Sequence, residues 1–382
     1  MAGYLFQIGN KDVDALERCV NSGVYSTIMG TPKGYWSTPY EATIGDYLSM
    51  KAGDNVYFFM GRKIYGIGRL MNIGDSCRYK NYPQASIPKA LIYEEIRSDL
   101  LWDNGPGSEN MRWLCIFEPY PVFFRDGVDM DDLLSSAPDK IRMIRAMQQV
   151  SFIKMDDEEN KAVRDYLAFK NRAMLNTDGI PFDDSVHEEI RNKISPEYNL
   201  QASEIMNACS RDDGKLGHEM ALECGIIELL ATHAPEGIEL GQWDYISQQV
   251  MASPFKPLMY ADKMDIFGYR YIAGLPYGFD TVSDYLVIEL KKDTATSCCI
   301  EQTLKYVEWI KNEYANGDYS RIKAFLIAFE FDQSAHDAYC QSAIRHYTEG
   351  GRLPRTAKWH DLKLLQYTYD SEHGQLNLHL IV

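Results

Sequence analysis

The sequence predicts a two-domain α+β chain, a small β-barrel decorated by helices followed by a mixed α/β sheet flanked by helices. Three observations lead there. The chain has 382 residues, more than one ordinary hydrophobic core accommodates, so two domains is the natural division. Its first half carries runs of strand composition separated by turn signals. Its second half alternates helical and strand-like runs, the pattern of a mixed sheet covered by helices.

In the first half, NVYFFMG (55–61), KIYGIGRLMNI (63–73), MRWLCIFEPYPVFF (111–124) and VSFIKM (150–155) read as strands. KAGDN and DNGPGSEN punctuate them. DVDALERCVNSG and MDDEENKAVRDYLAFKN read as helices. The second of these has an acidic first turn, which suits a helix N-terminus. Residues 171–200 hold few large apolar clusters and two prolines, and are expected to be a linker with one short helix between domains at 1–170 and 201–382. Beyond it, GKLGHEMALECGIIELLATH is helical in pattern. DYISQQVMA, KMDIFGYRYI, DYLVIELKK, IKAFLIAFEF and LKLLQYTYD are strand-like. CCIEQTLKYVEWIKNEYANG is a helix closed by Asn316-Gly317.

Composition narrows the class. At 45% hydrophobic and 25% charged residues, the chain lies in the globular range. No signal-peptide layout opens it and no uncharged run is long enough for a bilayer, so a soluble cytoplasmic protein without a membrane partner is expected. The eight cysteines show no zinc-knuckle spacing and read as reduced thiols. A net charge of −16 argues against a general nucleic-acid coat, though not against a local basic groove. FFMGRKIYGIGRL and KIRMIRAMQQ are basic, and most simply solvated faces.

The stretch VIELKKD raises the sharpest question. Side chains alternate along a strand, so Glu289 and Lys291 share a face while Leu290 faces the other way. Charges near a core need partners. A mutual ion pair at a strand end is the simplest account of Glu289-Leu290-Lys291 alone. But Asp265 stands inside another strand-like run, where an aspartate is disfavoured. Glu219 borders the apolar stripe of the preceding helix, and Gln302 and Tyr306 follow one turn apart on the next helix. Three carboxylates, a lysine and a glutamine thus converge in the order helix, strand, strand, helix. Clustered carboxylates call for a cation, and hard oxygen ligands select Mg²⁺ or Mn²⁺ over zinc. A lysine beside such an ion can position water or stabilise phosphorane charge.

This ordered set resembles the PD-(D/E)XK nuclease superfamily, over residues 210 to 330. Within it the chain is similar to the RecB-like branch, including NucS-type endonucleases and, more loosely, Shedu-type antiviral nucleases. The resemblance implies a restriction-endonuclease-like domain that cleaves phosphodiester bonds with Mg²⁺ or Mn²⁺. It implies Asp265 and Glu289, with the intervening Leu290, as the metal set, Lys291 as the catalytic lysine, and Glu219 and Gln302 as supporting residues. One departure stands out: twenty-three residues separate Asp265 from Glu289, long for a simple hairpin. Asp262, Asp280 and Asp284 therefore remain rivals to Asp265, and Glu223 to Glu219.

The first half resembles the EVE and PUA-like group through GYLFQIGN, KAGDNVYFFMGRKIYGIGRL and QVSFIKMDDEENKAVRDYL. Several members of that group hold a flipped or modified base in an aromatic pocket. Tyr35, Trp36 and Trp102 are the candidate stacking planes, with Asp103 or Asn104 for the base edge; ordinary barrel packing is the alternative for each aromatic. Together the halves point to a metal-dependent endonuclease with a base-reading domain, acting on nucleic acid, with DNA ahead of RNA, in restriction or antiviral defence. A catalytically inactive binding scaffold and an RNA-directed nuclease are the rival readings. A homodimer is left open.

Overall fold

Strand-forming residues dominate the first 160 positions, and they build one sheet. Its strands are β1 (Gly3–Gln7), β2 (Val24–Ile28), β3 (Asn55–Met60), β4 (Lys63–Leu70), β5 (Arg78–Lys80), β6 (Met111–Pro119), β7 (Val128–Asp129) and β8 (Phe152–Met155). They hydrogen-bond in the order β2-β6-β4-β3-β1-β8, with β5 on β6 and β7 on β4. This is the computed structural model of the chain. It describes residues 1–9, 13–31, 38–146, 151–174, 179–253, 262–275, 280–350 and 352–382. It divides into two compact units, Met1–Gln201 and Ala202–Val382.

Where the sequence predicts a small β-barrel, the structure has a half-barrel sheet, and among the described residues its hydrogen-bonded path ends at β2 and β8. Side chains nonetheless cross between its two ends. Tyr25 on β2 stacks on Phe6 of β1, ring centroids 4.1 Å apart, and the Tyr25 hydroxyl donates to the Ser151 carbonyl at 3.4 Å. The sheet therefore curls, and aromatic packing closes what the backbone leaves open. Helices α1 (Val13–Ser22), α2 (Thr38–Leu48), α3 (Tyr93–Ile96), α4 (Met130–Ser136) and α5 (Asp157–Lys170) decorate it. The acidic start expected for α5 has its physical role, because Asp156 caps the helix by accepting from the Glu159 amide at 2.9 Å. The irregular stretch after β5 is held by Arg112, which is 1% exposed. Its guanidinium donates to the carbonyls of Met29, Ala85, Ile87 and Lys89 and to the Thr31 hydroxyl.

The segment expected as a linker is tied into the first unit. Helix α6 (Ser185–Lys193) places a buried His187 against the Gly23 carbonyl at 3.1 Å. The Tyr198 hydroxyl donates to the Asp99 carbonyl at 2.8 Å. A Cβ at Gly23 would lie 2.4 Å from the His187 ring and that residue has φ +62°, so only glycine allows this approach.

The second unit opens with α7 (Ala202–Cys209) and α8 (Glu219–Thr232). Strands β9 (Tyr245–Met251), β10 (Lys263–Tyr271) and β11 (Val282–Ala295) follow, then α9 (Ser297–Glu313), β12 (Ile322–Phe331) and α10 (Gln333–Ser342). A two-stranded ribbon, β13 (Arg345–Glu349) and β14 (Arg355–Trp359), leads to β15 (Leu362–Asp370) and β16 (Gln375–Leu380). The main sheet has the order β16-β15-β12-β11-β10-β9. The β11, β12 and β15 neighbours are parallel and the outer pairs antiparallel, so this is the mixed sheet that the alternating sequence predicts. Helix α9 ends where Asn316 (φ 52°) and Gly317 (φ 87°) turn left-handed.

Candidate active site

The long gap between Asp265 and Glu289 comes from strand length. β10 and β11 pair antiparallel over most of their length, with Ile266 facing Ile288, and the described residues of the connection, 272–275 and 280–281, carry neither helix nor strand. That register carries Asp265 alongside Glu289 and Leu290. Asp265 Oδ2 accepts the Leu290 amide at 2.8 Å, a bond that replaces a ladder partner and pins the carboxylate to the strand.

Glu289 and Lys291 lie on one face, as their spacing predicts, and touch: Lys291 Nζ donates to Glu289 Oε1 at 2.7 Å. The Glu289 side chain is 1% exposed and Lys291 27%, so the pair spans the step from core to surface. The second oxygen, Glu289 Oε2, is buried and has no hydrogen-bond partner. Burial, with the Asp265 charge beside it, pushes the Glu289 carboxyl up to about 8 despite Lys291. Burial likewise pushes Asp265 up to about 6, against the opposing pull of Lys291 and of the Leu290 amide. For Lys291, burial works against the charge, but Glu289, Glu219 and Asp265 together hold its proton above the ordinary lysine range. Lys291 is therefore a stable cation, suited to charge stabilisation and poorly suited to removing a proton.

Both helix acids take part. Glu219 opens α8 and sits at its N-terminus, where backbone amides favour negative charge. Its Oε1 lies 3.8 Å from Lys291 Nζ, and its Oε2 accepts the Lys292 amide at 3.4 Å. Glu223, one turn on, accepts from Gln249 Nε2 at 3.3 Å, and the same nitrogen lies 3.3 Å from Asp265 Oδ1. The two rival acids thus stand one turn apart on one helix face, Glu219 beside Lys291 and Glu223 beside Gln249. Gln249 escaped the sequence reading. Its signal is a pair of glutamines inside an otherwise apolar strand run, and its backbone is left-handed at φ 52°, an uncommon state for a residue with a side chain.

The rival aspartates are engaged elsewhere or lie at the surface. Asp262 pairs with Lys305 at 2.8 Å. Asp284 is held by Arg270 and Ser283 at the other end of β11, and Asp280 is exposed. Gln302 is exposed and reaches the site only through Tyr306, to whose hydroxyl it donates at 2.8 Å. Burial pushes the Tyr306 hydroxyl up to about 12, with Glu289 and Asp265 adding to the rise.

Lys292, the next residue on β11, is engaged at both its side chain and its carbonyl. It stands where the β11–β12 register shifts, between Lys291 and Thr294. Its Nζ donates to the Gly217 carbonyl at 3.0 Å, and its own carbonyl accepts from the Tyr367 hydroxyl at 2.7 Å. It thereby fastens the loop that presents Glu219.

A divalent cation fits this donor set in one specific respect: an orphaned carboxylate oxygen on Glu289 lies beside the Asp265 carboxylate. Among the described residues no group of three or more His, Cys, Asp or Glu side chains is arranged to hold a metal. An ion placed here would meet the Asp265 and Glu289 carboxylates, with backbone and water oxygens completing its shell, the sparse protein ligation usual for Mg²⁺. The Leu290 side chain is apolar and fully buried, so only its main-chain atoms would be available to an ion.

In the first unit, Tyr35 and Trp36 lie outside the described residues. Trp102 is 7% exposed and is fixed through its backbone to the Asn81 amide group. It forms part of the wall of a cavity of about 700 Å³, with Ile8, Arg18, Tyr25, Ile28 and Asn104, rather than a freely offered stacking plane. Asp103 is occupied by the Tyr93 hydroxyl and the Gly105 amide. Within the basic stretches, Arg62 pairs with Asp131, Arg69 with Glu118 and Arg142 with Asp156.

No family model matches the chain, and no curated protein matches it. Among solved structures it is similar to a repair endonuclease from Pyrococcus abyssi, at 20% identity and TM-score 0.19, over 29% of this chain and 39% of that one. It is also similar to EndoMS in a complex with double-stranded DNA, at 19% identity and TM-score 0.20, over 37% of this chain and 42% of that one. The chain thus spans well under half the length of either protein. All eight cysteines are free thiols, and no helix among the described residues is long and apolar enough to cross a membrane.

Proposed function

We propose that the second unit hydrolyses phosphodiester bonds in nucleic acid with the help of Mg²⁺ or Mn²⁺. The observation that carries this reading is the buried, unpartnered Glu289 Oε2 beside Asp265, at the foot of a chain of charges that runs through Lys291 to the half-exposed Glu219. A fully buried carboxylate oxygen without a donor is costly in a purely structural role. Asp265 and Glu289 would hold the ion, which when bound supplies Lewis acidity to a phosphate oxygen and acidifies water. Lys291 contributes a fixed positive charge where negative charge develops on the phosphate. Gln249 and Glu223 orient Asp265, and Lys292 and Tyr367 hold the loop that carries Glu219. DNA is the proposed substrate, in a restriction or defence role. The first-unit cavity is the proposed reader, a walled pocket large enough for a planar base.

The test is incubation of the whole protein with Mg²⁺ or Mn²⁺ and a panel of plain, methylated and hydroxymethylated DNA alongside RNA. Cleavage that requires metal and is lost in Lys291→Ala supports the reading. No cleavage of any member by the native protein, with either metal, overturns it.

A further inference from the structure

The second unit contains a cationic arm outside the site. Residues 345–360 carry Arg345, Arg352, Arg355 and Lys358 against a single acid, Glu349, in a chain of net charge −16. They form the β13–β14 ribbon, which belongs to no larger sheet. Its register pairs Arg345 with Trp359, His346 with Lys358, Tyr347 with Ala357, Thr348 with Thr356 and Glu349 with Arg355. Directly opposite residues share a face, so the two faces differ in kind.

One face is an anchor. Arg345 Nε donates to Glu308 on α9 at 3.1 Å, and Tyr319 donates to the same carboxylate oxygen at 2.6 Å. Tyr319 packs between Tyr347 and Trp359, with centroids 5.5 and 6.1 Å away. The Trp359 indole donates to the Ile322 carbonyl at 2.9 Å. The opposite face holds His346, Lys358, Thr348 and Thr356, all exposed, and the tip holds exposed Arg352 and Arg355. Among the described residues, none of Arg352, Arg355 and Lys358 has an ion-pair partner. At the tip, Leu353 is 83% exposed, the most exposed large apolar side chain among the described residues. The acid that follows the ribbon, Asp361, is engaged by Lys323 at 2.6 Å.

An anchored base, a polar and cationic outer face and free charge at the tip are the features of an arm that meets a polyanion. Elsewhere several of the chain's cations are matched by acids, and here three are left unmatched. The ribbon is rooted at Ile322, which pairs with Tyr285 on β11, four residues from Glu289. That places its base about 13 Å along the strand from the candidate site, at ~3.3 Å per residue. We propose that this ribbon binds the phosphate backbone of the nucleic acid on which the second unit acts, with Arg352, Arg355 and Lys358 as the phosphate contacts. The inference rests on the proposed function and adds the surface that holds the substrate.

The test uses the full-length protein and a labelled duplex in EDTA, so that binding is read without cleavage. The dissociation constant is followed between about 50 and 200 mM salt, where each phosphate contact contributes roughly 0.9 to the slope of log affinity against log salt. For the triple variant R352A/R355A/K358A the expected result is a slope smaller by about 2 to 3, with an unchanged thermal midpoint. A native protein that binds duplex while the triple variant shows the same slope overturns the arm and leaves the nuclease reading standing. If the variant instead loses a salt-sensitive self-association in sedimentation, with DNA binding unchanged, the ribbon meets the acidic surface of a second copy and the proposal is wrong. If the native protein binds neither duplex, single strand nor RNA at low salt, the proposed function and the arm fall together.

Discussion

Glu289 concentrates the chemistry proposed for the second unit in one side chain. Its pKa and that of Asp265 are raised by folding, to about 8 and about 6. Between the ordinary carboxylate range and those values the folded protein binds more protons than the unfolded chain, so stability falls as pH rises through that window. In EDTA the thermal midpoint should drop between pH 5 and pH 8, and Mn²⁺ should restore more of it at pH 8 than at pH 5. Glu289→Gln removes this residue's part of the drop and abolishes the Mn²⁺ effect. Part of the drop remains, because Glu159 in the first unit is also pushed up to about 8 by burial. An unchanged drop in Glu289→Gln would mean that the carboxylate is protonated or compensated throughout. Lys291→Ala should lower cleavage by roughly 10²–10³-fold while circular dichroism and DNA affinity stay near native. Lys292→Ala should behave differently. It releases Gly217, so we expect a partial loss of activity, which a Lys292→Arg variant restores if the bond to the Gly217 carbonyl is what matters. The E-x-K spacing made Glu289 and Lys291 legible because alternation alone places them on one face. Gln249 was not legible, because its role depends on an unusual backbone angle that its sequence neighbours do not announce.

At the scale of elements, the site depends on how closely β9 approaches β10, since β9 carries Gln249. Gly268 on β10 sets that distance: a Cβ there would come within 2.7 Å of the Tyr245 carbonyl and 3.3 Å of Ile246. Gly268→Ala should cost about 1–3 kcal/mol as an overpacking change and weaken Mn²⁺ binding by displacing Gln249 from Asp265. Gly9→Ala, where nothing lies within 4 Å, is the control, and equal melting of the two variants would contradict the argument. Five strands of the second unit, β9 to β12 and β15, were readable because β-branched and aromatic runs ended at clear turn signals, whereas β16 was not read. The ribbon was not, since Arg, His, Thr and Glu carry little strand signal and its order comes from docking on Tyr319 and Glu308. A barrel-like first sheet was legible from its strand pattern, but the contact that draws it round, Tyr25 on Phe6, was not, because it joins strands distant along the hydrogen-bonded path.

On the scale of the whole molecule, the useful cut is at residue 201. His187, Lys193 and Tyr198 bond to Gly23, Leu100 and Asp99, so a fragment ending near 175 forfeits part of its own unit. Fragment 1–201 should melt cooperatively and at least several degrees above fragment 1–175. If the reader proposal holds, it should bind the preferred nucleic acid without metal. Equal melting points would place residues 179–201 outside the first unit's cooperative structure. The sequence reading treated these residues as a linker because they lack a large apolar run. Their attachment is made by single side chains reaching backbone carbonyls, and composition does not register such bonds.

The parallel pairing of β11 with β12 also sets an order of events during folding. The β10–β11 hairpin is local and can close early, bringing Asp265 to Leu290 while Glu289 still touches water. The other partner strand of β11, β12, with Leu326 in register with Glu289, arrives only after the chain has crossed over through α9. Non-local pairing of this kind is slow, and here it must also strip solvent from a carboxylate. A newly made chain would therefore complete its first unit before its second, and would pass its slowest step with Glu289 protonated or already neutralised. Acid and divalent cations should act on this protein as folding accelerants, through the same oxygen atom that the proposed chemistry uses.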